Sequence, residues 1–143
     1  VEYSIKKLAK LNIHPKIIIN IRPTTPFRDY RVIDKAITYF KKNYKNCSSL
    51  RSVEEMSETS YKNLIIKNKI LKPIIKNFTM DKIDSPRQNF KKTYFANGYI
   101  DIYKTNYVIK KRKLYGNKSL AFLTERTIEI DDLFDLKLAR KIT

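Results

Sequence analysis

The sequence has few of the residues on which several familiar kinds of site depend. Its 143 residues include one cysteine, one histidine and two glycines. The single Cys47 cannot form an internal disulfide, which fits a reducing cytoplasm. With His14 as its one histidine, the sequence excludes a His-rich metal site. Because its only glycines are Gly98 and Gly116, it contains no glycine-rich phosphate-binding loop.

Long hydrophobic runs are also missing. The apolar runs near Ile17 and Ile74 are far shorter than the ~20 residues that a membrane-spanning helix needs. The opening residues lack the apolar segment of a signal peptide, so we expect a cytoplasmic protein. The length and the 42% hydrophobic content are those of one globular domain, over residues 1–143.

Acidic residues are scarce beside basic ones, with 14 of the former and 31 of the latter, for a net charge of +17. Such a charge is typical of proteins that bind nucleic acid. It also follows from composition, because Lys, Ile, Asn and Tyr are abundant here and all have A/T-rich codons. The basic residues are spread along the chain, and their densest run is residues 110–113. We therefore favour a solvated basic surface and keep a nucleic-acid-binding module as the alternative.

The order of predicted elements is typical of an α/β protein. Residues 3–11 have helical spacing and start without a cap, and a β-branched run around Ile17 then predicts a strand. Its apolar character predicts burial on both faces, within a parallel sheet. Asp29 lies where it would cap the next helix, whose apolar face includes Ala36 and Phe40.

The rest of the chain is predicted to contain mainly strands. The predicted elements are a strand at 48–53, a hairpin of 61–66 and 70–75 turning at Asn68, a polar loop at 77–92, strands at 94–103, 120–123 and 127–130, and a helix at 133–142. Gly98 interrupts the strand at 94–103. A glycine inside a strand marks a bulge or a close approach of the backbone to a ligand.

Residues 22–28 follow the first predicted strand, at the end where α/β sheets bind ligands. Arg22 and Arg28 lie in this segment. The guanidinium group suits carboxylate and phosphate, so the two residues predict an anionic ligand.

Two acidic residues near the end of the chain could bind a metal. Glu129 and Asp131 are two apart on a predicted strand, so their side chains point to the same face. Paired carboxylates of this kind can hold Mg²⁺. The alternative is that Asp131, Asp132 and Asp135 simply cap the first turn of the following helix.

The polar side chains near other predicted strands also have two interpretations. The Asn97 amide could bind a sugar or a base, or the Asn97-Gly98 pair could form only a bulge. Lys62, Arg87 and Arg51 could bind a carboxylate or a phosphate, or each could be a surface charge.

Four segments, in order, resemble the acylneuraminate cytidylyltransferases, which are the CMP-sialic acid synthetases and their CMP-legionaminic acid relatives. The segments are 19–28 (INIRPTTPFR), 50–56 with 60–62 (LRSVEEM and SYK), 87–102 (RQNF, Tyr94 and NGYIDI) and 124–139 (TERTIEID and DLKLA). They resemble the family's (Q/R)PTSPLR, SVxSVxE…SPYK, RQDLPxxYxxNGAIYI and RERSIDID patterns. Any one of them alone would be a weak signal, but four in the right order are a strong one.

The resemblance implies a three-layer, Rossmann-like nucleotidyltransferase fold with a mixed sheet and a protruding dimerisation hairpin at about 57–93. It implies transfer of CMP from CTP to a nine-carbon α-keto acid sugar, with Mg²⁺ or Mn²⁺ at Glu129 and Asp131. Arg22 and Asp131 would be catalytic. Arg22, Asn97, Lys62, Arg87 and Gln88 would bind substrate, with Lys62 and Arg87 reaching into the pocket of the other subunit of a homodimer.

The sequence departs from the family pattern at several positions. Glu129 stands where the pattern has Asp, Arg22 where many members have Gln, Asp101 where a member has Tyr, and Ser60 where the pattern has Pro. The family's N-terminal strand and phosphate-cradling loop have no counterpart here. We therefore expect the C-terminal part of a longer protein, inactive by itself, with an exposed sheet edge. A non-catalytic dimerisation remnant is a further alternative.

Overall fold

The computed structural model describes residues 1–142. These residues form two compact units. The first unit contains residues 1–54 and the chain from residue 96 onward, and the second contains residues 55–95.

Five α-helices and six β-strands are assigned in the described part of the chain. The helices are α1 (Glu2–Lys10), α2 (Tyr30–Lys42), α3 (Met80–Asp84), α4 (Thr105–Lys111) and α5 (Leu133–Ile142). The strands are β1 (Ile17–Asn20), β2 (Ser49–Glu55), β3 (Leu64–Lys67), β4 (Ile70–Pro73), β5 (Tyr94–Lys104) and β6 (Ser119–Leu123). None of these helices is long and apolar enough to cross a membrane.

A four-stranded sheet with the order β1-β5-β2-β6 organises the first unit. Strand β1 is antiparallel to β5, with Asn20 opposite Asp101. Strand β2 is parallel to β6, with Leu50 opposite Leu120. The sheet is therefore mixed, as expected for the predicted α/β fold.

The prediction for strand β1 is right about its position and wrong about its surroundings. β1 lies at the edge of the sheet and pairs with an antiparallel neighbour. Ile19 is 37% exposed, so the strand is not buried on both faces. Isoleucine favours a strand at an edge or in a centre alike, and an apolar run alone cannot tell the two apart.

Helices cover both faces of the sheet, which gives three layers. Ile102 of β5 packs in a buried cluster with Phe40 of α2. The next residue, Tyr103, packs instead with Ile5 of α1 and Val108 of α4. Successive residues of a strand point to opposite faces, so α2 lies on one side of the sheet and α1 and α4 lie on the other.

The predicted cap of α2 is confirmed. The Asp29 side chain accepts a hydrogen bond from the backbone N–H of Arg31 at 2.8 Å. Ala36 and Phe40 are buried, so the helix presents the predicted apolar face. The first helix begins without a side-chain cap, as expected.

A two-stranded antiparallel hairpin of β3 and β4 is part of the second unit. Asn68 and Lys69 both have positive φ angles, which confirms the predicted turn at Asn68. Several apolar side chains of the hairpin are exposed, and Ile66 is 75% exposed. The Tyr61 ring stacks on Phe78 and on Phe90, which gives this unit an aromatic cluster of its own.

The structure differs from the prediction at three short elements. The predicted loop at 77–92 contains α3, whose Thr79 hydroxyl accepts a hydrogen bond from the Lys82 N–H at 3.1 Å. Helix α4 was not predicted at all. The predicted strand at 127–130 is not a strand. Elements this short give too few residues for a hydrophobic period to be recognised.

Candidate functional site

An ion pair joins two segments that are far apart in the sequence. Arg22 lies just after β1, and Glu129 lies in the irregular segment before α5. The Arg22 Nη1 is 3.4 Å from the Glu129 Oε1. The Thr24 hydroxyl donates to the same oxygen, also at 3.4 Å. The Ile130 N–H donates to the Thr24 carbonyl at 2.7 Å, which holds the two segments together.

Gly98 provides the surface on which this ion pair lies. Its φ is +66°, in the left-handed region that favours glycine. A Cβ at this position would lie 3.1 Å from the Arg22 Cδ and 3.1 Å from the Glu129 Oε1. It would also lie 3.2 Å from the Thr25 hydroxyl, which is buried and has no hydrogen-bond partner among the described residues. The backbone at Gly98 is therefore approached closely by side chains of the chain itself, and the approach of a ligand stays a prediction.

Arg28 does not point at an anion, contrary to prediction. Its Nε donates to the Tyr99 carbonyl at 2.8 Å, and its Nη2 donates to the Gly98 carbonyl at 3.1 Å. Its guanidinium also donates to the carbonyls of Arg22 and Thr25. The side chain thus ties the segment after β1 to β5. Burial lowers the pKa of Arg28 from its ordinary value.

Sequence reasoning missed a buried carboxylate, that of Glu54. Its Oε2 accepts hydrogen bonds from the Asn97 Nδ2 at 3.1 Å and from the Thr127 N–H at 3.2 Å. The Asn97 Nδ2 also donates to the Thr124 hydroxyl at 2.6 Å. One signal could have revealed it. Glu54 continues the buried alternation of Leu50 and Ser52 in β2, and a carboxylate on such a face needs partners.

Asn97 is almost completely buried, with 2% of its surface exposed. Its Nδ2 is shared between Glu54 and Thr124, and its Oδ1 accepts from the Tyr99 N–H at 3.3 Å. The amide therefore joins β5 to β2 and to the segment after β6. A direct contact between Asn97 and a substrate stays a prediction.

Asp101 forms a second buried polar cluster. Its Oδ2 accepts a hydrogen bond from the Tyr115 hydroxyl at 3.1 Å, and its Oδ1 lies 3.7 Å from the Arg51 Nε. The Arg51 guanidinium lies 4.6 Å from the centre of the Tyr115 ring. Burial first, and then the hydrogen bond with Tyr115, raise the pKa of Tyr103 well above its ordinary value. Arg51 is therefore a partner of Asp101 and more than a solvated surface charge.

Arg22 carries its charge between two carboxylates. Burial acts to lower its pKa, but the charges of Asp101 and Glu129 outweigh burial, so the pKa lies above its ordinary value. Its side chain is 37% exposed, which leaves part of the guanidinium open to solvent. Arg22 is thus a fixed and accessible positive charge.

The two predicted metal ligands do not form a ready site. Asp131 lies at the start of α5, where its N–H donates to the Asp135 carboxylate at 3.1 Å. Asp132 accepts from the N–H groups of Phe134 and Asp135, which agrees with the capping alternative. The described residues contain no group of three or more His, Cys, Asp or Glu side chains placed to hold a metal. Because the Glu129 Oε1 is engaged with Arg22, this pair does not fit a shared Mg²⁺ as it stands.

The other predicted binding residues belong to the second unit. Lys62 ends a short 3-10 turn, and no hydrogen bond or ion pair of its side chain is found among the described residues. Arg87 donates to the Glu55 carboxylate at 2.9 Å, and Lys92 donates to the other oxygen of that group at 2.8 Å. Gln88 and Arg87 line a cleft of ≈ 310 Å³. The hydrogen bond from Lys92 holds the pKa of Glu55 below its ordinary value.

A larger cleft, of ≈ 610 Å³, lies in the first unit beside residues 122–128. Phe27, Tyr99 and Phe122 give it aromatic walls. Its charged lining residues are two acidic and two basic ones: Asp29, Glu125, Lys35 and Arg126. Sequence reasoning did not anticipate this cleft. Tyr99 belongs both to its wall and to the strand that carries Asn97 and Gly98.

Comparison with known proteins gives one kind of match. No family model matches the chain, and no curated protein matches it by sequence. A solved structure does match: CMP:2-keto-3-deoxy-manno-octonic acid synthetase complexed with CTP, with a TM-score of 0.64 and 13% identity. The match covers 99% of this chain but 66% of that protein, so the chain spans just under two thirds of its length. The chain therefore has a mixed α/β fold like that of this nucleotidyltransferase, as the resemblance implied.

Proposed function

We propose that the chain is part of a nucleotidyltransferase of the nonulosonate type. It would transfer CMP from CTP to a nine-carbon, sialic-acid-like α-keto acid sugar. In this reaction the anomeric hydroxyl oxygen of the sugar attacks the α-phosphorus of CTP. The bond from that phosphorus to the β-phosphate oxygen breaks, pyrophosphate leaves, and the hydroxyl proton passes to solvent.

The observation that best supports this proposal is the convergence of the four motif segments. Arg22 comes from the first, Glu54 from the second, Asn97 and Gly98 from the third, and Glu129 from the fourth. Arg22 contacts Glu129 beside Gly98, and the neighbouring Asn97 contacts Glu54. A site built from several strand ends requires residues of separate segments to lie together, as these residues do.

In this proposal Arg22 neutralises negative charge on a phosphate group of the nucleotide as it develops. Stabilisation of developing charge by fixed donors is a large part of catalysis in such transfers. Asn97 would act on the sugar or the base, and Asp131 would be the second catalytic residue. The Mg²⁺ or Mn²⁺ that the resemblance implies would neutralise charge on the triphosphate. Of its two predicted ligands, only Asp131 has a carboxylate without a partner among the described residues.

We also propose a homodimer. The β3–β4 hairpin exposes apolar side chains, which is typical of a surface that binds another protein. Lys62 and Arg87 would then contribute to the pocket of the other subunit, and Gln88 would bind substrate. A cytoplasmic location is part of the proposal, because the buried Cys47 is a free thiol.

The test is release of pyrophosphate from CTP with N-acetylneuraminate, a legionaminate or 2-keto-3-deoxy-octonate. Two proteins are assayed: the chain alone, and the chain joined to the N-terminal strand and phosphate loop that the resemblance implies. We expect activity only from the joined protein, because the chain has no glycine-rich phosphate-binding loop. In the joined protein, Arg22→Ala should lower kcat by about 100-fold, the scale of one lost transition-state donor.

Absence of pyrophosphate with every sugar, together with no binding of CTP by the joined protein, would overturn the proposal. If the joined protein forms a dimer but releases no pyrophosphate, and Asp131→Asn has no effect on either property, the dimerisation remnant is the better explanation. Binding of duplex or single-stranded nucleic acid that weakens steeply with salt would favour the basic binding module instead.

A further inference from the structure

We propose that Glu129 is a positioning residue and not a metal ligand: its carboxylate holds the Arg22 guanidinium, and the remaining N–H groups of Arg22 bind a phosphate group. The identity of that phosphate, as part of a nucleotide, rests on the proposed function. The positioning of Arg22 by Glu129 rests on the geometry of the pair alone.

The position of the Glu129 carboxylate is fixed from several sides. Its Oε1 accepts from the Arg22 Nη1 and from the Thr24 hydroxyl, both at 3.4 Å. The neighbouring Ile130 N–H is hydrogen-bonded to the Thr24 carbonyl at 2.7 Å. Gly98 lies on another side, where an added Cβ would come within 3.1 Å of this oxygen. The carboxylate is thus directed at Arg22 by the backbone that carries it.

A divalent metal at Glu129 would have to displace Arg22. Mg²⁺ binds carboxylate oxygens at about 2.0–2.1 Å with near-octahedral geometry. A guanidinium beside the same oxygen repels the metal, by about 4 kcal/mol per pair of unit charges at 4 Å for an effective dielectric constant near 20. Asp131 does not share this geometry, because its N–H donates to the Asp135 carboxylate in the capping arrangement of α5 and its own carboxylate is exposed and without a partner among the described residues.

Arg22 keeps donors for an anion. A guanidinium has five N–H groups in a planar fork, and Glu129 accepts a hydrogen bond from Nη1 only. The side chain remains 37% exposed. A fork held at one end loses less conformational entropy when its other end binds phosphate. Arg22 also stays charged throughout the physiological range, because the surrounding carboxylates raise its pKa.

The first experiment measures where Mn²⁺ binds, by paramagnetic broadening of backbone amide signals in the absence of nucleotide. In the wild-type chain we expect no selective broadening at Gly98 or Thr24. Arg22→Gln should gain selective broadening at Mn²⁺ concentrations at least about tenfold below the highest concentration at which the wild type shows none, because the repelling charge is gone. Arg22→Lys keeps the charge and should behave like the wild type. Selective broadening at Gly98 in the wild type, or no gain in Arg22→Gln, would overturn the proposal.

The second experiment titrates inorganic pyrophosphate without metal and follows the same amide signals. Glu129→Ala removes a negative charge, so simple electrostatics predicts tighter binding. Positioning predicts the opposite: weaker binding by about tenfold, because the guanidinium is no longer oriented. Glu129→Gln keeps an accepting oxygen and should recover most of the affinity. Glu125→Ala, in the same segment, is the matched control and should not weaken binding.

Tighter pyrophosphate binding by Glu129→Ala than by Glu125→Ala would overturn the positioning role. Neither experiment requires CTP, a sugar or turnover. If nucleotidyl transfer is never observed but both sets of variants behave as stated, the proposed function fails and the Arg22–Glu129 relationship stands. If transfer is observed and Glu129→Ala binds pyrophosphate more tightly, the proposed function stands and the positioning role of Glu129 fails.

Discussion

The carboxylate of Glu54 and the side-chain amide of Asn97 are hydrogen-bonded at 3.1 Å, and both residues are buried. They lie on neighbouring strands β2 and β5, and the same carboxylate oxygen also accepts from the Thr127 N–H. This one oxygen therefore connects β5 to the segment that precedes Glu129. The order of the candidate site therefore depends on this buried carboxylate.

Glu54→Ala should lower the free energy of unfolding by about 2–6 kcal/mol, because it removes a partner from the buried Asn97 amide and from the part-buried Thr127 N–H, at about 1–3 kcal/mol each. Glu54→Gln keeps an accepting oxygen and should lose less. Urea denaturation followed by circular dichroism measures both. Glu58→Ala, at an exposed position, is the control, and an equal loss in Glu58→Ala and Glu54→Ala would contradict the buried role.

Gly98→Ala should destabilise the chain by more than the ~1–2 kcal/mol that a left-handed conformation costs a residue with a Cβ. The added methyl would also push on the Arg22 and Glu129 side chains. Thermal unfolding measures the loss. Asn77, with φ of 70°, offers a control, since the difference between Asn77→Ala and Asn77→Gly reports the conformational cost alone. If Gly98→Ala lowers the free energy of unfolding by no more than that difference, the close approach of Arg22 and Glu129 to Gly98 does not affect stability.

Alkylation of Cys47 by iodoacetamide should be slower in the folded chain than in urea, and in the folded chain its rate should still be rising at pH values above 9. Burial raises the pKa of this thiol above its ordinary value of 9.0, so the reactive thiolate is scarce at neutral pH. A thiol whose pKa is raised by folding contributes to the stability of the folded chain at pH values below its pKa in the unfolded chain. That contribution is lost as the pH rises through the higher pKa of the folded chain. Mass spectrometry of the alkylated protein gives the rates, and equal rates in buffer and in urea at pH 8 would contradict the prediction.

Ile66→Lys should shift the proposed homodimer to monomer. Ile66 is the most exposed apolar residue of the hairpin, at 75%, and a lysine there places a charge in any apolar interface. Sedimentation velocity on the wild type and the variant measures the change. Ile109→Lys is a control at a similarly exposed position in α4, at 55%. A wild type that is monomeric at all concentrations, or a variant that still dimerises, would contradict the use of this hairpin.

Elements with a strong local signal were predicted well from the sequence. The helix capped by Asp29, the hairpin turning at Asn68 and the strand containing Gly98 all occur where the residues predict them. Each depends on a property of a few adjacent residues: a capping oxygen, a tolerance of positive φ, an alternation. The short α3 and α4 were missed because five or seven residues do not display a helical period.

The candidate site was predicted only in part. Arg22, Gly98 and Glu129 were singled out, and these three do come together. The contact of Arg28 with backbone carbonyls was not foreseen, and neither was the role of Glu54. A charged residue looks the same in a sequence whether it faces an anion or a carbonyl oxygen, because its partner is remote in the chain.

The sequence by itself determined the α/β class, the main helices and strands, and the segments that would carry a site. These depend on spacing, propensity and turn residues, which act over a few positions. Only the tertiary structure decided that β1 is an edge strand, that Glu129 faces Arg22, and that Glu54 holds Asn97. Those outcomes are set by which strands become neighbours, and pairing between residues as far apart as 22 and 129 is fixed by packing of the whole sheet.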